Sequence, residues 1–233
     1  MINLKNSVRR SRHYLRSVLG KDLRVPVELN CTRLLLGNER AEWCVCPDPL
    51  SSDSVIYSFG VGEDISFDLA LIQRFGLQVH AFDPTPKSIA WLKQQRLPRG
   101  FVFHDYGVAD YDGVARFYPP ENPQYVSYSA RQIERGARGV TEAPVWRLGT
   151  IMRMLGHQHI DLLKMDIEGS EYGVVNDLAA SRLPMKQLLV EFHHRWPGIG
   201  IEETRSAMQA LHRSGFRIFA VSPSGEEFSF IRT

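Results

Sequence analysis

Acidic and histidine side chains follow two apolar, strand-like segments of the sequence. Asp166 and Glu168 come after "IDLLKM", and Glu191, His193 and His194 come after "QLLV". A histidine with an ordinary pKa near 6.5 takes up a proton near neutral pH, and a neighbouring carboxylate orients its ring. These residue types at two strand ends indicate proton removal from a substrate hydroxyl. His193 or His194 is the candidate base, and Asp166 and Glu191 are the other candidate catalytic residues.

The same residues admit two other interpretations. Asp166, Glu191 and His193 are ligand types with which proteins hold Mg²⁺ or Mn²⁺, and such an ion would lower the pKa of a bound hydroxyl. Alternatively, the two histidines only satisfy backbone groups at a strand end, and Glu168 and Glu171 only open the next helix. A carboxylate that ends a buried apolar strand is costly without a task or a partner, which favours a functional Asp166.

A glycine loop, "VIYSFGVGED", runs from apolar residues into two glycines and then into two acids. Gly60 and Gly62 match the first two glycines of a dinucleotide fingerprint, but Ile65 stands where the third is needed. Glu63 and Asp64 at the mouth of the following helix would repel a diphosphate. The loop therefore disfavours NAD and predicts a phosphate-free nucleoside with positive charge, a description that S-adenosylmethionine meets.

Asp83 follows the next strand-like segment, "LQVHAF". A carboxylate at that place accepts hydrogen bonds from the two ribose hydroxyls of a nucleoside. The alternative is structural: Gly60 and Gly62 only form a tight turn, and Asp83 only opens the turn at Pro84. Gly60, Gly62, Glu63 and Asp83 are the candidate cofactor-binding residues.

The elements that must position these residues alternate regularly from Val55 onward. Strand-like segments are followed by loops and helices, which is typical of a parallel sheet with helices on both faces. The end differs, because "FRIFAVS" and "EFSFIR" flank the turn "PSGE" and predict a hairpin with an antiparallel strand. Ligands of such sheets lie beyond the carboxyl ends of the strands, where the strand order reverses. We therefore expect the loops after "SVIYSFG" and "IDLLKMDI" to meet.

Four further segments carry specific predictions. "TRLLLGNERAEWCVCP" predicts two short strands around Gly37. "EDISFDLALIQRF" predicts a helix that ends at Gly76. Residues 119–144 are polar, rich in Pro and Gly and without periodicity, and predict a substrate-side loop or lid. "GTIMRMLGH" predicts a short helix that is capped by Thr150 and ends at Gly156.

The first part of the chain is strongly basic. Residues 1–24 hold seven Lys and Arg against Asp22 alone, so this part carries +6 and the remainder −4 of the overall +2. Val8, Leu15 and Val18 fall near helical spacing, which predicts a basic amphipathic helix. A nucleic-acid or anionic-lipid contact is compatible with this pattern. A solvated helix that packs on the domain or covers its site is favoured, because nothing downstream indicates a polymer-binding surface.

Length and composition bound the other expectations. The 233 residues, 43% of them apolar, suffice for one substantial core. We expect a basic helical segment over residues 1–30 and one domain over residues 31–233. No window approaches the roughly 18 apolar residues of a membrane span, no signal peptide is recognisable, and three cysteines are too few for a disulfide framework. These features predict a cytoplasmic protein without a nucleic-acid partner and leave a homo-oligomer open.

The motifs together resemble the FkbM family of S-adenosylmethionine-dependent methyltransferases, close to its methyltransferase-like branch. The resemblance rests on "YSFGVGEDISFD", "FDPTP", "IDLLKMDIEGSEYGVV" and "LLVEFHHR", and it spans Thr32 to Arg195. It implies an α/β, Rossmann-like class I fold with a seven-stranded, mostly parallel sheet, an antiparallel strand from the C-terminal hairpin, and helices on both faces. It also implies methylation of hydroxyl groups on sugars, glycans or secondary metabolites.

The resemblance assigns the cofactor side by position. Gly60 and Gly62 match the family's cofactor loop, and Asp83 matches its ribose-binding acid. Asp105, with Tyr106 beside it, falls where the contact on the adenine side is expected.

The resemblance also covers the later strand ends. The motif matches there are Asp166, Glu168 and Gly169 in a "DxEG" element, and Glu191 and His193 in an "ExH" element. Asp166 is expected to contact the cofactor as well. One departure is Ser58, which stands where the family's first strand usually has an acid for the methionyl end of the cofactor. Glu63 is the substitute that the sequence offers.

The sequence thus predicts an S-adenosylmethionine-dependent O-methyltransferase with a saccharide or other small-molecule hydroxyl acceptor. The first alternative is a nucleoside-binding domain that has lost catalysis. The second, less favoured, is an NAD-dependent oxidoreductase.

Overall fold

The computed structural model describes residues 4–39, 41–120, 128–130 and 139–233. The strands within these residues are β1 Leu34–Leu36, β2 Trp43–Val45, β3 Val55–Phe59, β4 Gln78–Phe82, β5 Phe101–His104, β6 Gly107–Val108, β7 Gly113–Phe117, β8 Thr141–Trp146, β9 Ile160–Met165, β10 Met185–Glu191, β11 Phe216–Val221 and β12 Glu227–Arg232. The helices are α1 Leu4–Val18, α2 Ser66–Phe75, α3 Pro86–Leu92, α4 Leu148–Leu155, α5 Glu171–Ser181 and α6 Ile201–Arg213.

The main sheet has seven strands in the order β11-β12-β10-β9-β3-β4-β5. Neighbouring strands are parallel except for β12, which pairs antiparallel with both β10 and β11. β3 lies within the sheet, with β4 and then β5 following it toward one edge. β9, the next strand of this sheet along the chain, pairs with β3 on its other side. This confirms the predicted class I fold, including the antiparallel strand from the closing hairpin.

Apolar side chains cover both faces of this sheet. On one face, β-strand residues such as Tyr57 and Leu163 pack with Ile151 of α4, Val175 of α5 and Leu211 of α6. On the other face, a second cluster joins the strands to α2, α3 and the β1–β2 hairpin. The parallel strands are buried on both sides, which explains their nearly continuous apolar runs in the sequence.

The predicted hairpin around Gly37 is confirmed, with β1 and β2 paired antiparallel. A buried side chain fastens this hairpin to the sheet: Gln187 of β10 donates to the Cys46 carbonyl at 2.9 Å and accepts from the Cys46 amide at 3.0 Å. Ser229 of β12 donates to the Cys44 carbonyl at 2.8 Å. These bonds satisfy backbone groups that the buried hairpin could not expose to water.

A second sheet of three strands lies beside the main one, in the order β6-β8-β7. Its central strand, β8, begins at Thr141 and corrects the expectation of an unpatterned loop over residues 119–144. Ser129 also pairs with Tyr118. The rest of the predicted lid, residues 121–127 and 131–138, lies outside the described residues.

Two predicted helix starts differ from the structure. α4 begins at Leu148 rather than after Thr150, because Asp112 caps it by accepting from the Arg147 amide at 2.7 Å and the Thr150 hydroxyl at 2.9 Å. α2 begins at Ser66, whose amide donates to Asp64, so the two loop acids precede the helix. The predicted ends of these helices at Gly156 and Gly76 are confirmed, each in the left-handed conformation.

The N-terminal helix α1 is present and solvated, but it contacts the domain through its polar side. His13 and Arg16 face the domain, whereas Val8, Leu15 and Val18 are largely exposed. Within the described part of the chain, none of the helices combines the length and the apolar character that crossing a membrane requires.

Candidate active site

A cavity of about 680 Å³ opens at the carboxyl ends of β3, β4, β9 and β10. This is the edge of the sheet where the strand order reverses between β3 and β9. Ligands of open α/β sheets bind at this topological position. The loops after β3 and β9 meet there, as expected from the sequence.

The cavity wall is acidic. Of the described residues that line it, ten carry a carboxyl group and one, Lys164, carries a basic side chain. The acidic residues are Glu42, Glu63, Asp64, Asp68, Asp83, Asp110, Asp166, Glu168, Glu191 and Glu227. Such a wall attracts a cation and repels phosphates.

Gly60 lets β3 and β9 approach closely at the floor of the cavity. Its φ is +73°, and a Cβ atom at this position would overlap the carbonyl oxygen of Asp166. The Gly60 amide donates to the Phe82 carbonyl at 3.0 Å, so the loop is tied to both neighbouring strands. A side chain at residue 60 is excluded by geometry rather than by conformational preference alone.

Asp83 is a buried carboxylate that organises the two loops beside it. One of its oxygens accepts from the Gly62 amide at 2.9 Å, and the other accepts from the Thr85 amide at 2.9 Å and the Thr85 hydroxyl at 2.6 Å. Asp83 also lines the cavity together with Glu63. Asp83 therefore has the structural role that the sequence left as an alternative, and it also lies at the wall where a ribose-binding acid is expected.

Two buried charged side chains that the sequence did not indicate as functional, Lys164 and Asp68, also line the cavity. Lys164 on β9 donates to the carbonyls of Phe59, at 3.1 Å, and Gly60, at 2.6 Å. Near it, burial raises the pKa of Asp68 on α2 to about 6, against the opposing effect of the Lys164 charge. Asp68 adjoins Ser58. The acid that the first strand lacks at Ser58 is thus matched by an acid from α2. The signal in the sequence was one acid within the apolar run "SFDLALI".

The residues after β9 and β10 converge on His193. Its Nε2 lies 3.3 Å from Glu168 Oε2, 3.7 Å from Asp166 Oδ1 and 3.9 Å from Glu191 Oε1. Asp166 Oδ1 has no hydrogen-bond partner among the described residues. Asp166, Glu168 and Glu191 line the cavity, whereas His193 lies behind them.

Glu171, which was not singled out in the sequence as functional, holds this cluster together. It is fully buried, and its Oε1 accepts from the His193 amide at 2.8 Å and lies 3.1 Å from His193 Nδ1. Its Oε2 accepts from the Gly169 amide at 2.9 Å. Glu168, the residue before Gly169, has a φ of +53°, which is rare and costly for a residue other than glycine. Glu171 therefore fixes the His193 ring with Nε2 toward the carboxylates.

The ionisable groups of the cluster differ in how their surroundings shift their pKa values. Burial raises the pKa of Asp166 to about 6, opposed by the charge of Lys164 and reinforced by that of Glu168. Burial and the neighbouring Asp166 raise the pKa of Glu191 well above its usual range. For His193, burial lowers the pKa, but the bonds to Glu168 and Glu171 outweigh burial and raise it well above 6.5. These shifts favour the charged form of His193 and the protonated form of Glu191, and a pKa of about 6 leaves Asp166 mostly ionised at neutral pH.

His194 lies away from the cavity. Its Nε2 is 2.7 Å from Asp22 Oδ1, and both side chains are fully buried. Arg195 binds the same aspartate at 2.7 Å. His194 thus anchors the segment after α1 to the end of β10, and the structure does not bring it to the other predicted catalytic residues.

The predicted adenine-side residues also lie outside the cavity wall. Asp105 is exposed, and the Tyr106 ring packs near Phe82. The wall at this side is formed instead by residues 107–111, including Asp110 and Tyr111. The structure therefore does not bring Asp105 or Tyr106 to the cavity.

Known proteins resemble the chain in sequence and in structure. Residues 55–218 match the model of the methyltransferase FkbM domain. Two curated relatives, both called probable methyltransferase-like protein 24, are 27% identical over 195 residues in Rattus norvegicus and 26% identical over 196 residues in Homo sapiens. Each match covers 76% of this chain and 47% of the relative, so the chain spans about half the length of these relatives. A fibrillarin pre-rRNA processing protein of Methanococcus jannaschii aligns with a TM-score of 0.46 and 12% identity, over 79% of this chain and 68% of that one.

Proposed function

The chain belongs to the family of proteins that carry the methyltransferase FkbM domain, and from this membership we propose that it is an S-adenosylmethionine-dependent O-methyltransferase. The observation that carries the proposal is the acidic wall of the cavity at the switch point of the sheet. A positively charged nucleoside is attracted there, whereas the diphosphate of a dinucleotide is repelled.

The residues of the cavity fit this cofactor. A volume of about 680 Å³ lies within the range of small-molecule sites. Asp83 at the end of β4 would accept from the ribose hydroxyls, and Asp68 or Glu63 would face the cationic amine. Lys164 offers the basic group that a carboxylate at the same end of the ligand requires.

S-adenosylmethionine supplies a methyl group on a cationic sulfur, which reacts by in-line displacement. The chain's own tasks are to align the acceptor hydroxyl and to take its proton. We assign the base to Asp166, because its raised pKa of about 6 leaves it ionised yet basic at neutral pH. His193 lies behind Asp166 as a cation and stabilises its carboxylate, and Glu171 orients His193. His193 is therefore a positioning residue in this proposal.

A metal-assisted version uses the same cluster. One ligand atom each from Asp166, Glu191 and His193 lies within 4.8 Å of the others. A divalent cation such as Mg²⁺ or Mn²⁺ would replace the protons that Glu191 and His193 hold, and it would lower the pKa of the acceptor hydroxyl. Removal of the ion by a chelator should abolish methyl transfer in this version, whereas base catalysis by Asp166 alone should be unaffected.

The cavity wall also bears on the acceptor. An acidic lining disfavours phosphorylated or carboxylated acceptors, whereas a neutral polyol is not repelled. Aromatic side chains, Trp43, Tyr111, Phe117 and Tyr128, add flat apolar surface to the same wall. Polar groups interspersed with aromatic surface suit a saccharide hydroxyl, and this is the acceptor class that we propose.

Calorimetric titration with S-adenosylhomocysteine and with NADH tests the cofactor. We expect S-adenosylhomocysteine to bind and NADH not to bind. Binding of NADH without binding of S-adenosylhomocysteine would overturn the proposal. A radiolabelled-methyl transfer screen over neutral and phosphorylated sugars, each with and without a chelator, tests the acceptor and the metal. Transfer only to the phosphorylated sugars would exclude the proposed acceptor class, and a rate that is indifferent to chelation would exclude the metal.

A further inference from the structure

Helix α1 separates apolar and basic side chains onto different sides. Val8, Leu15 and Val18 recur at helical spacing and form one side, here called the apolar stripe of α1. The helix also carries Lys5, Arg9, Arg10, Arg12 and Arg16 and contains no acidic residue. On the 3.6-residue helical wheel, Arg12 and Lys5 lie beside the stripe on the side of Val8, and Arg10 lies on its other side, nearest to Val18.

The apolar stripe faces away from the domain. Val8 is 63% exposed, Leu15 60% and Val18 65%. This orientation is the reverse of that of an ordinary surface helix, which buries its apolar stripe against the core.

Polar contacts hold the helix in this orientation. His13 Nε2 lies 2.9 Å from the Leu23 carbonyl, Arg16 binds Asp22 at 3.1 Å, and Lys5 binds Glu39 at 3.1 Å. The His13 ring also packs against Gly225 of the β11–β12 turn, where a Cβ atom would overlap it. The helix is therefore anchored by its polar side, with its apolar stripe presented to solvent.

We propose that α1 docks the protein on an anionic membrane surface, lying in the plane of the interface. The apolar stripe would enter the boundary between headgroups and acyl chains, and the flanking arginines would contact lipid phosphates. Long basic side chains reach the headgroups while their stems cover apolar surface.

The charge and the apolar stripe of α1 favour a lipid surface over two other binding partners, a nucleic acid and a second copy of this chain. Nucleic-acid phosphates would use the cations but leave the apolar stripe in water. A second copy of the helix would bury the stripe but bring five cations against five others without an acid in either helix. Only an anionic lipid surface uses both features.

The position of α1 links it to the cavity. Glu39 lies two residues before Ala41, and Gly225 two residues before Glu227, and both Ala41 and Glu227 line the cavity. Docking through α1 would therefore bring the cavity edge of the molecule close to the membrane. The inference about α1 does not depend on the reaction proposed above.

Vesicle flotation of the full chain tests this inference. Vesicles of phosphatidylcholine with phosphatidylserine should carry the protein, and vesicles of phosphatidylcholine alone should carry at least about tenfold less. Val8→Gln with Leu15→Gln should weaken binding about tenfold or more, because the apolar contribution is lost while glutamine still favours a helix. Arg10→Glu with Arg12→Glu should weaken it about 20-fold or more, because both arginines flank the stripe and are exposed.

Matched variants control for surface changes elsewhere. Leu35→Gln with Val114→Gln removes two apolar side chains that are each 61% exposed, and Arg96→Glu with Arg99→Glu reverses two exposed charges. Both should bind vesicles within about twofold of the unaltered chain, and circular dichroism should show the helix content retained in all variants.

Three results would overturn the inference. If the α1 variants bound anionic vesicles as well as the control variants do, the membrane contact would lie elsewhere on the molecule. Binding to duplex DNA or RNA without binding to anionic vesicles would assign the arginines to nucleic acid. A dimer in sedimentation that Val8→Gln with Leu15→Gln dissociates, without vesicle binding, would assign the apolar stripe to a second copy.

Discussion

Asp166 is the residue on which the proposed chemistry depends, and its protonation sets a pH dependence. Burial raises the pKa of its carboxyl to about 6, so the proposed base is ionised above that pH and protonated below it. With an acceptor in hand, kcat/KM should fall about tenfold per pH unit below 6 and level off above it. A pH–rate profile measures this directly.

The Asp166→Asn variant tests the same assignment without changing the side chain's size. Transfer should fall about 100-fold or more, while S-adenosylhomocysteine binding stays within a few-fold. Asp110→Asn alters another cavity acid, whose carboxylate lies beside Gly173 of α5, and serves as the matched control. If Glu191→Gln abolished transfer while Asp166→Asn left it intact, the base would be Glu191.

Site residues that directly follow a strand could be predicted from the sequence. Site residues whose role depends on tertiary contacts could not. Gly60, Asp83 and Asp166 could be identified because each terminates an apolar run, and all three line the cavity. Glu171 and Asp68 could not, because their importance arises from burial against His193 and Lys164, which lie far away in the sequence. His194 has the same sequence context as His193, and only the partner, Asp22, separates their positions.

At the scale of elements, the neighbouring strands β3 and β9 should tolerate no side chain at Gly60, where the residues that follow them approach most closely. Gly60→Ala would place a Cβ atom onto the backbone carbonyl of Asp166, in a left-handed conformation that alanine already disfavours. We expect a loss of about 3 kcal/mol or more in the free energy of unfolding, measured by urea denaturation, or failure to fold.

Gly76 provides the matched control for that substitution. It has a similar φ of +67° at the end of α2, but a Cβ atom there would meet open space. Gly76→Ala should therefore cost only about 1 kcal/mol, which is the conformational part of the effect. Equal losses for the two variants would show that conformation, and not the close approach to the Asp166 backbone, explains why residue 60 must be glycine.

The elements themselves followed from the periodicity of the sequence, with one informative failure. β9 and β10 are mostly apolar and almost entirely buried, although β9 includes Asp161 and Lys164, and parallel strands covered on both faces have this appearance. β8 was missed because "TEAPVW" contains a proline in a segment rich in Pro and Gly, although buried Ala143 and Val145 alternate with exposed neighbours. Pro144 is tolerated because β6 pairs only with Val145 and Trp146.

At the scale of the whole molecule, a cluster of buried histidines couples stability to pH. His80 Nδ1 lies 3.0 Å from His104 Nε2, and the Tyr57 hydroxyl lies 2.8 Å from His157 Nδ1. Burial lowers the pKa of His80 to about 4, and it also lowers the pKa values of His104 and His157. The folded state therefore keeps these rings neutral at pH values where the unfolded chain binds protons.

This difference predicts that stability falls as the pH drops from about 6.5 toward 4. Over that range the unfolded chain takes up protons on these histidines and the folded chain does not, so each ring favours unfolding. Asp68 and Asp166 act in the opposite direction because their pKa values are raised, so a variant at His80 is needed to isolate the histidine contribution. His80→Phe keeps an aromatic ring but cannot bind a proton.

Denaturant unfolding of the unaltered chain and of His80→Phe at pH 8 and pH 4.5 measures the effect. At pH 8 the variant should be the less stable of the two, since it leaves His104 without its partner. At pH 4.5 the difference in the free energy of unfolding between the two proteins should shift by about 2 kcal/mol in favour of the variant. Only in the unaltered chain does residue 80 take up a proton on unfolding, which favours the unfolded state. Phe82→Leu, in the same aromatic stack, should lower stability equally at both pH values. A His80→Phe gap that stays constant with pH would mean that His80 does not carry the coupling.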